Sequence, residues 1–232
     1  MENKRVYFYA CTSQKNEVDT LLYKSLIHNG ITDYNITVNF KGSLTKQYNI
    51  LLHKLLQDKN SLYSTVIFCH DDITINTNDL RKFDNEFVVF GLAGTSQATI
   101  KHPFLWHLSA PRENHLGAVA HYNEHNDDYF ITSFGPFNKQ AVLIDGVFMG
   151  INLSKWKKNP IFFDENIPSK YHFYDLAFSL DNNLAKNKVG VIDFPIIHCS
   201  HGLHSLSDQQ WQDGEKYILK KYDKYTGTTI AV

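Results

Sequence analysis

The sequence predicts an α/β fold, a mostly parallel sheet flanked by helices with a small antiparallel element. Three observations carry this. Over 1–100, short apolar runs rich in aromatic and β-branched residues alternate with segments whose apolar residues recur at helical spacing. Strand–helix alternation of this kind calls for right-handed crossovers between parallel strands. The stretch 101–140 then changes character, with Pro103, Pro111 and Pro136 among short alternating pieces, as loops and a hairpin would require.

In chain order, Arg5 to Cys11 reads as a buried strand. Val18, Leu21, Leu22, Leu26 and Ile27 form a helical face within 17–29, and Gly30 follows where a helix end favours a left-handed residue. NITVNF (35–40) alternates and predicts the second strand. Tyr48, Leu51, Leu52, Leu55 and Leu56 mark an amphipathic helix. TVIFC (65–69) and FVVFGL (87–92) are continuous apolar strands of the kind covered on both faces, giving β-α-β-α-β-α-β over 1–100. Ala118–Tyr122 and Tyr129–Ser133 predict the antiparallel hairpin. AVLIDGVFMGI (141–151) reads as two strand pieces interrupted by Asp145-Gly146. Phe173, Leu176, Ala177, Leu180 and Leu184 predict a helix. VGVIDFPIIH (189–198) is a last strand, which Pro195 marks as an edge or a bulge. A charged helix over 207–225 closes the pattern.

Composition narrows the function classes. The 232 residues carry 23 Lys plus Arg against 24 Asp plus Glu, a net charge of -1 without a basic stripe, which argues against nonspecific nucleic-acid binding. Cys11, Cys69 and Cys199 are odd in number and widely spaced, which argues against a disulfide framework or a structural zinc site. The start, MENKRVYFYAC, is too short an apolar run for a signal peptide, and no run is long enough to span a membrane. The expectation is a cytoplasmic protein. Twelve histidines raise the prior for a metal or acid–base site.

Four motifs could carry chemistry. His70-Asp71-Asp72 follows the apolar strand directly, and in open α/β sheets ligands bind beyond strand C-termini. Carboxylates there suit a hard divalent cation, though an Asp-rich turn capping a following helix at Asp72 or Thr74 reads equally from the residues. Asp145-Gly146 is either an acid facing a ligand beside a glycine that admits close approach, or the turn of a hairpin. Asp175 opens a helix, as a general base or simply as a favourable first-turn acid. His198 ends the last strand and is a candidate ligand, whereas His201 and His204 read as surface or pocket residues. P-loop, GxGxxG, GxSxG and HExxH motifs do not occur.

The order of Tyr48-Asn49, His70-Asp71-Asp72, Gly91-Leu92-Ala93-Gly94, Asp145-Gly146-Val147-Phe148, Tyr171-His172-Phe173-Tyr174-Asp175 and His198-Cys199-Ser200-His201-Gly202 resembles the GT-A glycosyltransferases, in particular the small family-2-like members. The resemblance runs from about Arg5 to Gly202. It implies a GT-A type, Rossmann-like domain over 1–232, with a nucleotide-binding half (1–100), an acceptor and catalytic half (101–206) and a helical tail (207–232). It implies transfer of a sugar from a nucleotide-diphosphate donor, UDP- ahead of GDP-, to a saccharide or glycoprotein, with Mn²⁺ or Mg²⁺ and inversion.

By the same resemblance Ala10, Cys11, Thr12 and Asn49 would lie against base and ribose. Asp72 and His198 would hold the metal. His70, at the first position of the family's D-x-D motif, would join them on the metal, with Asp71 beside the donor as its substitute. Asp145, Gly94 and Gly146 would face the donor sugar, and Asp175 would be the catalytic base. The residues alone leave two other readings: nucleotidyl transfer or phosphoester hydrolysis on a similar sheet, and a non-catalytic carbohydrate-binding protein.

Overall fold

The computed structural model describes residues 5–58, 63–100, 105–123, 127–199 and 209–232. In chain order the elements are β1 (Arg5–Cys11), α1 (Leu21–His28), β2 (Tyr34–Thr37), α2 (Leu44–Gln57), β3 (Tyr63–Cys69), β4 (Ile73–Ile75), β5 (Val89–Gly91), β6 (Ala93–Thr95) and β7 (Gln97–Thr99). Then come α3 (Trp106–Ser109), β8 (His115–Asn123), β9 (Asp128–Ser133), β10 (Lys139–Gln140), β11 (Leu143–Ile144), β12 (Phe148–Asn152) and α4 (Leu153–Trp156). The chain closes with α5 (Tyr174–Leu184), β13 (Val189–Val191), β14 (Ile196–His198), α6 (Gln209–Lys221) and β15 (Thr229–Ala231).

The central sheet has the order β10-β13-β5-β12-β3-β1-β2. β2, β1 and β3 are parallel, as are β5 and β13, while β12 runs antiparallel to both its neighbours. A second sheet has the order β11-β6-β8-β14-β4, with β9 paired to β8, and β15 pairs with β7.

Alternation along the central strands sorts the core into two halves. Phe8, Ala10, Ile67, Cys69 and Phe148 face one cluster, which takes in α1 through Leu22 and Leu26 and the second sheet through Ile73, Val119 and Ile196. Tyr9, Val66, Phe68, Met149 and Ile151 face the other, covered by Leu44, Tyr48 and Leu52 of α2. α5 lies between them, giving Leu176, Ala177 and Leu180 to the first and Tyr174 and Phe178 to the second.

The sequence-based elements are present with four differences. No third helix follows β3 in the first hundred residues. The chain forms β4 and a 3₁₀ turn at Leu80–Phe83 instead, because Thr74 and Ile75 pair with β14 rather than closing a helical turn. The second strand ends at Thr37, since Asn39 takes a left-handed φ of 51°. Leu143–Ile144 and Phe148–Asn152 are not the arms of a hairpin: β11 pairs with β6 and β12 with β3 and β5, so Asp145-Gly146 carries the chain between sheets. The run 189–198 likewise divides before Pro195 into β13 of the central sheet and β14 of the second.

Gly117 marks where β8 leaves one partner for the next. Its φ is +81°, and a Cβ there would stand 1.9 Å from the Leu92 carbonyl oxygen. Gly117→Ala therefore meets both backbone strain and a backbone clash, and is expected to destabilise by at least about 2 kcal/mol. Thermal unfolding should show Tm lower by about 4 °C or more. An unchanged Tm would mean that β8 does not make this turn.

Candidate functional site

The site is built where chain segments pass between the two sheets. β3 ends at Cys69, and His70, Asp71 and Asp72 lead into β4. Asp145, Gly146 and Val147 lead from β11 into β12, and the His70 N–H donates to the Val147 carbonyl at 3.1 Å, tying the two passages together. β14 brings His198 alongside: it pairs with Ile73, and the Cys199 N–H donates to the Asp72 carbonyl at 2.9 Å.

His70, Asp72 and His198 converge, with one ligand-type atom of each lying within 4.8 Å of the others. His198 Nε2 is 3.3 Å and His70 Nδ1 3.8 Å from Asp72 Oδ1. Among the described residues, Asp72 Oδ1 and His198 Nε2 are the buried side-chain polar atoms without a hydrogen-bond partner. The two face each other at 3.3 Å, where a cation held by both, or a proton on His198 Nε2, would satisfy them. Burial pushes the Asp72 carboxyl up, but His198 foremost and His70 with it outweigh burial and hold it below the usual carboxylate range.

Tyr174, which the sequence reading quoted without assigning, organises this cluster. Its hydroxyl lies 3.0 Å from the Gly146 carbonyl and 3.1 Å from His70 Nε2. A carbonyl can only accept, so the tyrosine proton goes to Gly146 and His70 must donate from Nε2. The Nδ1 lone pair is then free and directed toward Asp72. A ring whose distal N–H is engaged and whose other nitrogen faces a carboxylate has the arrangement of a metal-ligating imidazole. Burial, with His198 adding to it, lowers the His70 pKa, keeping the ring neutral as a ligand requires. The donor set of two imidazoles and a carboxylate fits a divalent cation.

Asp175 follows Tyr174 in the first turn of α5, whose N-cap, Phe173, is held at a left-handed φ of 67°. Buried Phe173 packs on Trp211 of α6 at 4.8 Å, and this contact supports a backbone conformation a bulky residue otherwise avoids. Asp175 Oδ2 accepts the Gly146 N–H at 2.9 Å. A Cβ on Gly146 would lie 2.5 Å from the Tyr174 hydroxyl and 2.9 Å from Asp175 Cβ, so only glycine lets α5 approach this closely. Burial and then the nearby Asp145 push the Asp175 carboxyl up to about 7, against the pull of backbone N–H groups including that of Gly146. Asp145 itself is oriented by a 2.9 Å bond from the Val147 N–H to Oδ1.

The remaining expected residues divide. Ala10 and Cys11 end β1, paired there with β2, Thr12 follows, and the charge of Asp71 acts on Cys11. Burial, in the main, pushes the Cys11 thiol up to about 12. Ala10 and Thr12 are buried, and the Thr12 hydroxyl oxygen accepts the Gln14 N–H at 3.1 Å. Asn49 departs from the expectation. Its amide donates to the Phe163 carbonyl and to Glu165, both at 2.8 Å, and accepts the Phe163 N–H at 2.9 Å. Both amide protons are used, so Asn49 staples α2 to the segment before α5 and presents nothing to a base or ribose. Gly94 also has a packing reason, since a Cβ would lie 2.1 Å from the Leu143 carbonyl oxygen of its strand partner. Ser200, His201, Gly202 and His204 fall outside the described residues.

A family model described as "Glycosyltransferase like family" matches residues 8–222. A search of curated proteins finds no match. Solved structures with some likeness include a protein from STIV, 15% identical, covering 87% of this chain and 97% of its own, with a TM-score of 0.46. Galactosyltransferase LgtC in complex with donor and acceptor sugar analogues is 10% identical, covers 97% of both chains and has a TM-score of 0.39. The inositol-1-phosphate CTP transferase from T. maritima is 13% identical, covers 93% of this chain and 77% of its own, and has a TM-score of 0.37. At these identities and TM-scores the structural likeness is loose, and the family match carries the assignment. No helix among the described residues is long and apolar enough to cross a membrane.

The raised Asp175 pKa has a consequence for stability. The folded carboxyl keeps its proton up to about 7, whereas an unfolded one loses it near about 4. Ionising Asp175 therefore opposes folding, and stability from this group declines as pH rises from about 4 through 7 and is level above. The Tm of Asp175→Asn minus that of the wild type is expected to climb across that interval and end positive. A difference independent of pH would contradict the assigned burial.

Proposed function

Because the chain belongs to the glycosyltransferase-like family, we propose that it is a metal-dependent, inverting sugar transferase whose donor is a nucleotide-diphosphate sugar, UDP- ahead of GDP-, and whose acceptor is a hydroxyl of a saccharide or glycoprotein. The observation that supports this most is the orphaned pair of buried atoms, Asp72 Oδ1 and His198 Nε2, beside the free Nδ1 of His70. These three residues would hold Mn²⁺ or Mg²⁺. Such an ion, when bound, offsets the negative charge that builds on a departing nucleoside diphosphate.

The chain's own residues do the rest. Tyr174 holds His70 in the tautomer that leaves Nδ1 available and fixes the Gly146 carbonyl by the same hydroxyl. Cys11 and Asp71, on neighbouring strand ends, are proposed to border the nucleotide, with Ala10 and Thr12 as the buried backing beneath it. Asp145 is proposed to face the donor sugar, with buried Gly146 beside it. Asp175 is proposed as the base. An acceptor hydroxyl is a weak nucleophile near neutral pH, and a carboxylate whose pKa is about 7 is a strong enough acceptor for its proton while remaining ionised in mildly alkaline solution. Phosphoryl chemistry at Asp72 and His198 would need no such base, and the raised Asp175 favours glycosyl transfer over it.

A UDP-sugar at about 100 times its dissociation constant should stabilise by roughly 2.7 kcal/mol, or about 5–10 °C in Tm, when Mn²⁺ is present. Asp72→Asn should fold and lose that shift. A nucleotide shift that survives in EDTA would argue against the metal reading. Turnover should separate the base from binding: Asp175→Asn is expected to lower kcat by about 10²–10⁴ while keeping the nucleotide shift. The wild-type kcat/KM should rise with pH through an apparent pKa of about 7, and an unchanged rate in the variant would remove Asp175 from this role.

A further inference from the structure

β9 is the outer strand beside β8, and its side chains are unusually apolar for an exposed edge: Tyr129 is 58%, Phe130 52% and Ile131 70% exposed. Successive side chains of a strand point to opposite faces, so these do not form one patch. Phe130 stands opposite His121 and stacks on it, with ring centroids 5.1 Å apart and planes at 22°. His121 in turn pairs with His198, their rings 5.8 Å apart, and His198 lies 5.4 Å from His70. Four rings thus cross the second sheet in a row, from solvent at Phe130 to the cluster at the end of β3. Tyr129 and Ile131 belong to the other face.

His121, in the middle of the row and half-buried, is in ring contact with His198 of the cluster. A half-buried imidazole next to an exposed aromatic face has a definite recognition chemistry. The ring takes the C–H face of a pyranose, and the imidazole donates to or accepts from a hydroxyl on its rim. The solvent end of the row, Phe130 and His121, brings no lysine or arginine to meet an acidic group, and the chain just before Phe130 carries the exposed acids Asp127 and Asp128. The occupant is therefore a neutral sugar. Resting on the reading of His70, Asp72 and His198 as the donor end, we propose that His121 and Phe130 form the acceptor subsite, a platform for one uncharged pyranose ring.

The test is saturation-transfer NMR with the α- and β-methyl glycosides of glucose, galactose, mannose and N-acetylglucosamine, in the presence of UDP and diamagnetic Mg²⁺. At least one glycoside should show transfer to the wild type. The signal should fall at least about fivefold in His121→Ala and in Phe130→Leu, which keeps bulk but has no ring, and persist in Phe130→Trp and in Tyr129→Ala on the opposite face. Thermal unfolding of each variant with UDP and Mg²⁺ reports folding and the donor end together. Wild type that binds UDP with Mg²⁺ yet shows no transfer to any glycoside overturns the subsite. So does transfer unchanged in His121→Ala and Phe130→Leu, or lost equally in Tyr129→Ala. Failure of the wild type to bind UDP with Mg²⁺ would instead bring down the reading of the cluster, and the subsite with it.

Discussion

A strand that leaves one sheet for another must give up its ladder partners at the crossing, and this constraint places every group of the site that α5 does not supply. The crossings that bear on the site come after Cys69, between Ile144 and Phe148, and between Val191 and Ile196. At each crossing the backbone groups need new partners, and they find them in one another, as when the His70 N–H takes the Val147 carbonyl. Side chains at such points rise from rigid strand ends yet are not packed into either sheet. His70 and Asp72, Asp145 and Gly146, and His198 beyond the third crossing are gathered by this geometry although far apart in sequence.

The crossings would be loosely related without α5. Its first turn lies over them, and the Tyr174 hydroxyl joins two of them by bonding both the Gly146 carbonyl and His70. Tyr174 is fixed from behind by Tyr48, at 5.9 Å between ring centroids, while Phe178 one turn later stacks on Phe163 at 3.9 Å. Asn49 secures the Phe163 backbone and so steadies that packing. Core and site are therefore linked through one helix terminus. Loss of aromatic volume around Tyr48 and Phe163 would be felt by β3 directly, through Phe68, and by the imidazole of His70 through α5.

Much of this was readable from the residues, for reasons that separate cleanly. α2 was visible because Tyr48, Leu52 and Leu55 recur on one buried helical face, and β3 because its run is apolar throughout, as a strand covered on both sides must be. The crossings were not visible. Asp145-Gly146 between two apolar runs carries the signal of a hairpin turn, and only pairing of β11 with β6 shows that the runs part. β4 was hidden because three residues are too few for periodicity to distinguish strand from turn, and its identity comes from its partner β14. Among site residues, the acids and His198 stood out as polar groups at strand ends. Tyr174 did not, since a tyrosine beside an acid reads as core, and its role lies in a hydroxyl contact that spans the fold. Asn49 illustrates the opposite: the resemblance implied a place against base and ribose, while the segment before α5 takes its amide.

The electrostatic pattern gives the site two carboxylates with different tasks. Asp72, between two imidazoles, is held ionised, whereas Asp175, half-buried and near Asp145, holds a proton to about 7. Separation of this kind is how one pocket supplies both a ligand and a base. The account stands first on the claim that His70, Asp72 and His198 form a cation site. Pulsed electron paramagnetic resonance of the protein titrated with Mn²⁺ tests it most directly. The account predicts a single bound Mn²⁺ with nitrogen couplings from two imidazoles, one of them lost in His198→Ala. A bound Mn²⁺ without nitrogen coupling, or no bound Mn²⁺, would contradict it.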